Sequence, residues 1–129
     1  MGTRSVTIVL DESGNPIVRM YRQMDGYPEG MGRDIVEKFG EFKLINGIGG
    51  GDHSKEANGM GCFAGQVVAH FKDGIGDIYL CRPDDDMGIH DEEYAYIIYP
   101  NKMNILCITV YDVFNKYFLY DGLLSMYQP

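Results

Sequence analysis

At 129 residues with 45% hydrophobic content, the chain is one domain, 1–129, long enough to bury a core without disulfide or metal staples. Its net charge of −8, with eleven scattered basic residues, excludes nucleic-acid binding through a basic stripe and opposes an anionic membrane surface. No run of about 18 apolar residues exists to span a membrane.

Taken in order, Val6, Ile8 and Leu10 alternate with Ser5, Thr7 and Val9, the pattern of a half-buried strand. That apolar run is too short for a secretory signal. Asp11-Glu12-Ser13-Gly14-Asn15-Pro16 is turn chemistry, and residues 17–23 form a second strand, so the chain opens with a hairpin.

Next comes Tyr21-Arg22-Gln23-Met24-Asp25-Gly26-Tyr27-Pro28-Glu29-Gly30-Met31-Gly32-Arg33-Asp34, with three glycines and a proline close together. Glycine supplies positive φ or close approach, and proline fixes φ. Apolar residues at 35, 36, 39 and 42 then mark one stripe of a short helix over 33–42. A glycine-rich loop delivered to a helix start is a place where free backbone N–H groups hold an anion. The candidate ligand site is therefore Tyr21, Arg22, Asp25, Gly26, Tyr27, Gly30, Gly32 and Arg33. Arg22 and Arg33 would take charge, and Tyr21 or Tyr27 would stack on a ring. The other reading of this stretch is a plain helix start, with Asp34 favouring the dipole and Arg33 paired to a neighbour.

Residues 46–54 are rich in glycine and form a loop, and Asp52 or Ser54 is placed to cap a second helix over about 55–72. Met60, Phe63, Val67 and Phe71 form its apolar stripe. Ala57, Gly61, Gly65 and Ala69 run beside it at intervals of four. Interior glycines cost a helix about 1 kcal/mol each relative to alanine. Three readings of that cost stand: packing on the chain's own sheet, contact with the same helix of a second subunit through Gly61 and Gly65, or a ligand on the helix.

The remainder reads as four strands, at 78–82, 94–99, 105–111 and 116–124, with spacings that suit antiparallel neighbours. The expected architecture is α+β: one antiparallel sheet of about six strands with two helices on one face, in the order ββααββββ.

The remaining polar clusters are weaker signals. Asp84-Asp85-Asp86 and His90-Asp91-Glu92-Glu93 form an acidic hairpin loop without the ligand spacing of a calcium loop. His53, His70 and His90 lack metal-ligand spacing. Asp25, Asp52 and His53 are the residues a small hydrolase would use. Cys62, Cys81 and Cys107 are too widely spaced for a disulfide framework or a zinc site and read as buried thiols of a reducing cytoplasm. No metal or cofactor is implied. Ten tyrosines and no tryptophan occur, mostly in strand-like runs, which suits strand preference or an aromatic interface.

The motif Tyr-Arg-Gln-Met-Asp-Gly-Tyr-Pro-Glu-Gly-Met-Gly at 21–32, followed by Asn-Gly-Met-Gly-Cys-Phe-Ala-Gly-Gln-Val-Val-Ala-His-Phe-Lys-Asp-Gly at 58–74, resembles a family of small uncharacterised proteins common in phages and prophages. The resemblance covers most of the chain and implies a phage-like origin. The functional expectation is a non-enzymatic, homo-oligomeric binding protein for a phosphate-bearing or nucleotide-like ligand. In a phage setting this would be a sponge for a host immune signal. A protein–protein inhibitor module and a small hydrolase are the alternatives.

Overall fold

The computed structural model describes residues 2–129. Its elements are β1 (Ser5–Leu10), β2 (Pro16–Arg22), a single π-helical turn (Pro28–Gly32), α1 (Arg33–Phe39), β3 (Lys43–Ile45), β4 (Glu56–Asn58), α2 (Gly59–Phe71), β5 (Ile78–Cys81), β6 (Tyr94–Pro100), β7 (Leu106–Asp112), β8 (Tyr117–Leu123) and a final 3₁₀ turn (Leu124–Met126). The α+β expectation holds. Six strands form one sheet in the order β5-β2-β1-β6-β7-β8, and β3 and β4 form a separate two-stranded ribbon.

The sheet is antiparallel except at its centre, where β1 runs parallel to β6. That one parallel pair corrects the expectation of an all-antiparallel sheet. It arises because β5 joins the outer edge of β2 rather than pairing with β6. Residues 82–93 are thus a crossover from one edge of the sheet to its centre, and not a hairpin loop.

Register sorts the side chains. Val9, Met20, Tyr96, Ile98, Ile108 and Val110 project to one side and join Ile35 and Phe39 of α1 and Met60, Phe63, Ala64 and Val67 of α2 in a single buried cluster. Within it, Phe39 lies edge-on to Phe63 with ring centres 5.2 Å apart and to Phe42 at 4.9 Å. Val6, Ile8 and Ala95 project to the other side and form a smaller cluster with Tyr21, Ile97 and Tyr111.

The β1–β2 turn closes as its composition requires. The Asp11 carboxylate accepts from the N–H groups of Ser13 and Asn15, both at 2.9 Å, and Gly14 takes φ +84°. The turn also reaches α2: Glu12 accepts from the Met60 N–H at 2.8 Å, placing a carboxylate at the positive end of that helix. Neither Asp52 nor Ser54 caps it, and α2 begins four residues later than expected. Glu56–Asn58 pairs instead with Lys43–Ile45, a strand pair too short to carry a periodic signal. The first helix stops at Phe39, and the backbone from Pro28 to Gly32 is already helical.

All three cysteines are free, but only Cys107 is buried; Cys81 is half-buried and Cys62 exposed. The apolar neighbours of Cys62 in sequence lie on the inner side of α2, whereas the thiol faces out. No helix among the described residues is long and apolar enough to cross a membrane.

Candidate functional site

The glycine-rich stretch at 25–34 is a clasp between the sheet and α1. Asp25 adopts φ 58°, and its carbonyl accepts from the Met31 N–H at 2.9 Å. Gly26 is buried: its N–H donates to the Thr3 carbonyl at 2.9 Å, and its carbonyl accepts from the Tyr96 hydroxyl at 2.7 Å. Burial pushes the Tyr96 phenol far above its ordinary pKa, so it stays a donor. A Cβ on Gly26 would meet Ser5 Cβ at 2.7 Å, and one on Gly30 would meet the Asp25 carbonyl oxygen at 2.3 Å. A Cβ on Gly32 would meet the Tyr127 hydroxyl at 2.8 Å. These glycines are needed for close internal approach.

The arginines part company. Arg22 donates to the Asp34 carboxylate at 2.8 Å and to the Met24 carbonyl at 2.8 Å, whereas Arg33 is exposed on the far side of Asp34 in sequence. The Gly30 and Arg33 N–H groups donate to backbone carbonyls within the turn. Tyr27 is exposed, with its hydroxyl 3.4 Å from the Asp25 carboxylate. Tyr21 leaves the group altogether, since neighbours along a strand point to opposite sides: Arg22 faces the helices and Tyr21 the open side.

On that open side Tyr21 finds another set of partners. Tyr79 stands directly opposite it across the β2–β5 pair, with ring centres 6.1 Å apart and tilted by 51°. The His90 imidazole lies 6.1 Å from the Tyr21 ring on the other flank. With Arg4, Cys81, Ile89 and Asp91 they line a cleft of about 380 Å³. Burial raises the Tyr21 phenol pKa, with the Arg4 guanidinium pulling the other way. Among the described residues, no carboxylate lies within ion-pair distance of Arg4. Asp91 is the one acidic residue on the wall.

The crossover 82–93 builds one side of this cleft, and a buried ion pair holds it down. Arg19, 5% exposed on β2, donates to the Asp85 carbonyl and lies 3.8 Å from the Glu92 carboxylate, which is fully buried. Glu92 also accepts from the N–H groups of Gly88 at 2.8 Å and His90 at 3.1 Å. His90 Nε2 is 3.0 Å from the Asp85 carboxylate. The acidic loop is thus organised around an arginine. No group of three or more His, Cys, Asp or Glu among the described residues is placed to hold a metal ion.

A second cleft, of about 400 Å³, opens on the helix side between Arg22, Lys38, His70 and Asp77. Arg22 is already paired there, and Asp34, Glu37 and Asp77 put three carboxylates on its wall. It is poorly suited to an anion.

Each residue named for a hydrolase is engaged by local partners. Asp25 sits in the clasp, and the Asp52 carboxylate accepts from the Ser54 N–H at 2.9 Å. His53 bridges the Glu56 carboxylate at 2.7 Å and the Gly49 carbonyl at 2.5 Å, closing the glycine-rich loop. The Glu56 hydrogen bond raises the His53 pKa, and the Gly49 carbonyl adds to it. The contribution of the imidazolium charge to this closure is fully present below the ordinary value of 6.5 and is lost as pH rises through the raised one.

Gly61 and Gly65 lie on the outer face of α2, and a Cβ at either position would meet nothing within 4 Å. Packing on the chain's own sheet therefore does not explain them. With no close approach to preserve, Gly61→Ala and Gly65→Ala are each expected to stabilise the protein by about 0.5–1 kcal/mol in urea unfolding. Destabilisation by either change would show that the glycine is required in the folded state.

Tyr79, Arg4 and His90 are the members of the cleft that the sequence alone does not point to. The cross-strand pairing of Tyr21 with Tyr79 depends on β5 returning to β2 over a long separation, which no local pattern encodes. No family model matches the chain, and no curated protein or solved structure matches it.

Proposed function

We propose that this is a non-enzymatic binding protein for a small, flat, phosphate-bearing molecule of the nucleotide kind, held in the Arg4–Tyr21–Tyr79–His90 cleft. The observation that carries this reading is the meeting of two tyrosine rings and an imidazole with an arginine free of any close carboxylate, on a chain of net charge −8. A planar ring stacks on the aromatic wall, and the guanidinium takes the phosphate by charge-assisted hydrogen bonds. A single guanidinium without a close carboxylate, on an acidic surface, also favours a small ligand over a polyanion. Of the residues in the Tyr21–Arg33 motif, Tyr21 is the one that this cleft uses. Given the resemblance to phage proteins, the corresponding biological role is sequestration of a signalling nucleotide of the host.

Calorimetric titration with a panel of linear and cyclic nucleotides tests this. Arg4→Ala is expected to weaken binding by about 1.5–3 kcal/mol, the scale of a charge-assisted hydrogen bond. Arg33→Ala, at an exposed position on the clasp, is expected to change affinity by less than about 0.5 kcal/mol. A larger loss at Arg33 than at Arg4 would return the site to the clasp, and no binding across the panel would overturn the ligand class.

A further inference from the structure

We propose, resting on the nucleotide reading of this cleft, that Asp91 reads the base and selects guanine. The other carboxylates that hold the crossover are already engaged. Asp85 lies 3.0 Å from His90 Nε2. Glu92 accepts from the Gly88 and His90 N–H groups and faces Arg19. Asp91 lines the cleft, and among the described residues its carboxylate has no hydrogen-bond or ion-pair partner. Its backbone is fixed. It adopts φ 56°, its N–H donates to the Gly88 carbonyl at 3.0 Å, and its neighbour Glu92 is fully buried. Aspartate tolerates that left-handed conformation better than most residues.

A carboxylate accepts hydrogen bonds and cannot donate them. In a cleft that takes a phosphate on Arg4, it weakens binding by repulsion unless the ligand brings donors to it. Asp91 and Arg4 line the same cleft without pairing, so a ligand reaches one with its phosphate and the other with its base. Tyr21 and Tyr79, the latter 50% exposed, supply the surface on which the base stacks. A stacked base offers hydrogen-bonding groups only at its edge. Of the common bases, guanine alone carries two adjacent donors, N1–H and the N2 amino group, spaced for the two oxygens of one carboxylate. Adenine and cytosine set one donor beside a ring nitrogen whose lone pair the carboxylate repels, and uracil has a single N–H between two carbonyls. The volume of about 380 Å³ is at the small end of ligand sites and suits one nucleotide rather than two.

Calorimetric titration of the full chain with guanosine, inosine and adenosine monophosphate (GMP, IMP and AMP) reads the selectivity. GMP is expected to bind about tenfold to a hundredfold more tightly than AMP, the range of a bidentate base contact. IMP keeps N1–H but lacks the amino group, and is expected to fall between them. D91N keeps a residue that tolerates positive φ, at an exposed position, and replaces two acceptors by one acceptor and one donor. That pair fits adenine as well as guanine, so the GMP-to-AMP ratio is expected to fall to within about threefold. The ratio cancels the general gain in phosphate affinity that follows from losing a negative charge. Arg4→Ala is expected to weaken GMP and AMP alike and to leave their ratio in place. AMP binding the wild-type protein as tightly as GMP, or a ratio unchanged by D91N, would overturn guanine selection and leave the nucleotide reading standing. Binding by none of the three would overturn both.

Discussion

Glu92→Ala is expected to destabilise the protein by about 3–5 kcal/mol, the cost of leaving a buried charge without its counter-ion. The Arg19 guanidinium beneath it is 5% exposed, and its Nε and Nη1 atoms have no hydrogen-bond partner, so the Glu92 carboxylate 3.8 Å from Nη1 is the charge that offsets it. Loss of the carboxylate also frees the part-buried N–H groups of Gly88 and His90, which lie in the crossover that walls the cleft. Urea unfolding gives the magnitude. Replacing both partners together, as Arg19→Met with Glu92→Leu, is expected to recover the part of the loss that comes from the unpaired charge, while the Gly88 and His90 N–H groups and the Asp85 carbonyl still lose their partners. A single-variant loss below about 1 kcal/mol would show that the crossover is held by something else.

Phe39→Ala is expected to cost about 3–5 kcal/mol, because it opens a cavity where α1, α2 and the sheet meet. Its ring is fully buried and touches Phe42, Phe63 and Phe71, with His70 edge-on at 5.7 Å. The surrounding rings come from α2 and from the turn after α1, and cannot collapse together without moving the helices. Val36→Ala, a half-buried position on the same helix, is the control and is expected to cost no more than about 1.5 kcal/mol. Equal losses at the two positions would contradict the central place of Phe39.

The helix stripe of Met60, Phe63 and Val67 was legible because it is a local period imposed by one buried side, whereas Val6-Thr7-Ile8 alternates as a half-buried strand would but is buried on both sides, at the centre of the sheet. The ribbon of β3 and β4 was not legible, since three residues contain no period. The cap on α2 was missed for a different reason: Glu12 reaches it from 48 residues away, outside any local capping pattern. Gly26, Gly30 and Gly32 stood out in the sequence as positions of close approach and as ligand candidates. Their purpose, close contact with Ser5, Asp25 and Tyr127, depends on tertiary neighbours that composition does not reveal. The same holds for the cleft. Tyr21 was visible within a motif, but its partners Arg4, Tyr79 and His90 are brought to it by strand order and by the crossover over Arg19.

The most direct test of the cleft is a nuclear magnetic resonance titration of the protein with a nucleoside monophosphate, followed at the tyrosine rings, the imidazoles and the backbone amides. The expected result is saturable movement of the Tyr21 and Tyr79 ring signals and of His90, together with the Arg4 amide, while Gly30, Gly32 and Arg33 stay in place. Movement confined to residues 25–33, or no saturable movement anywhere, would contradict the account.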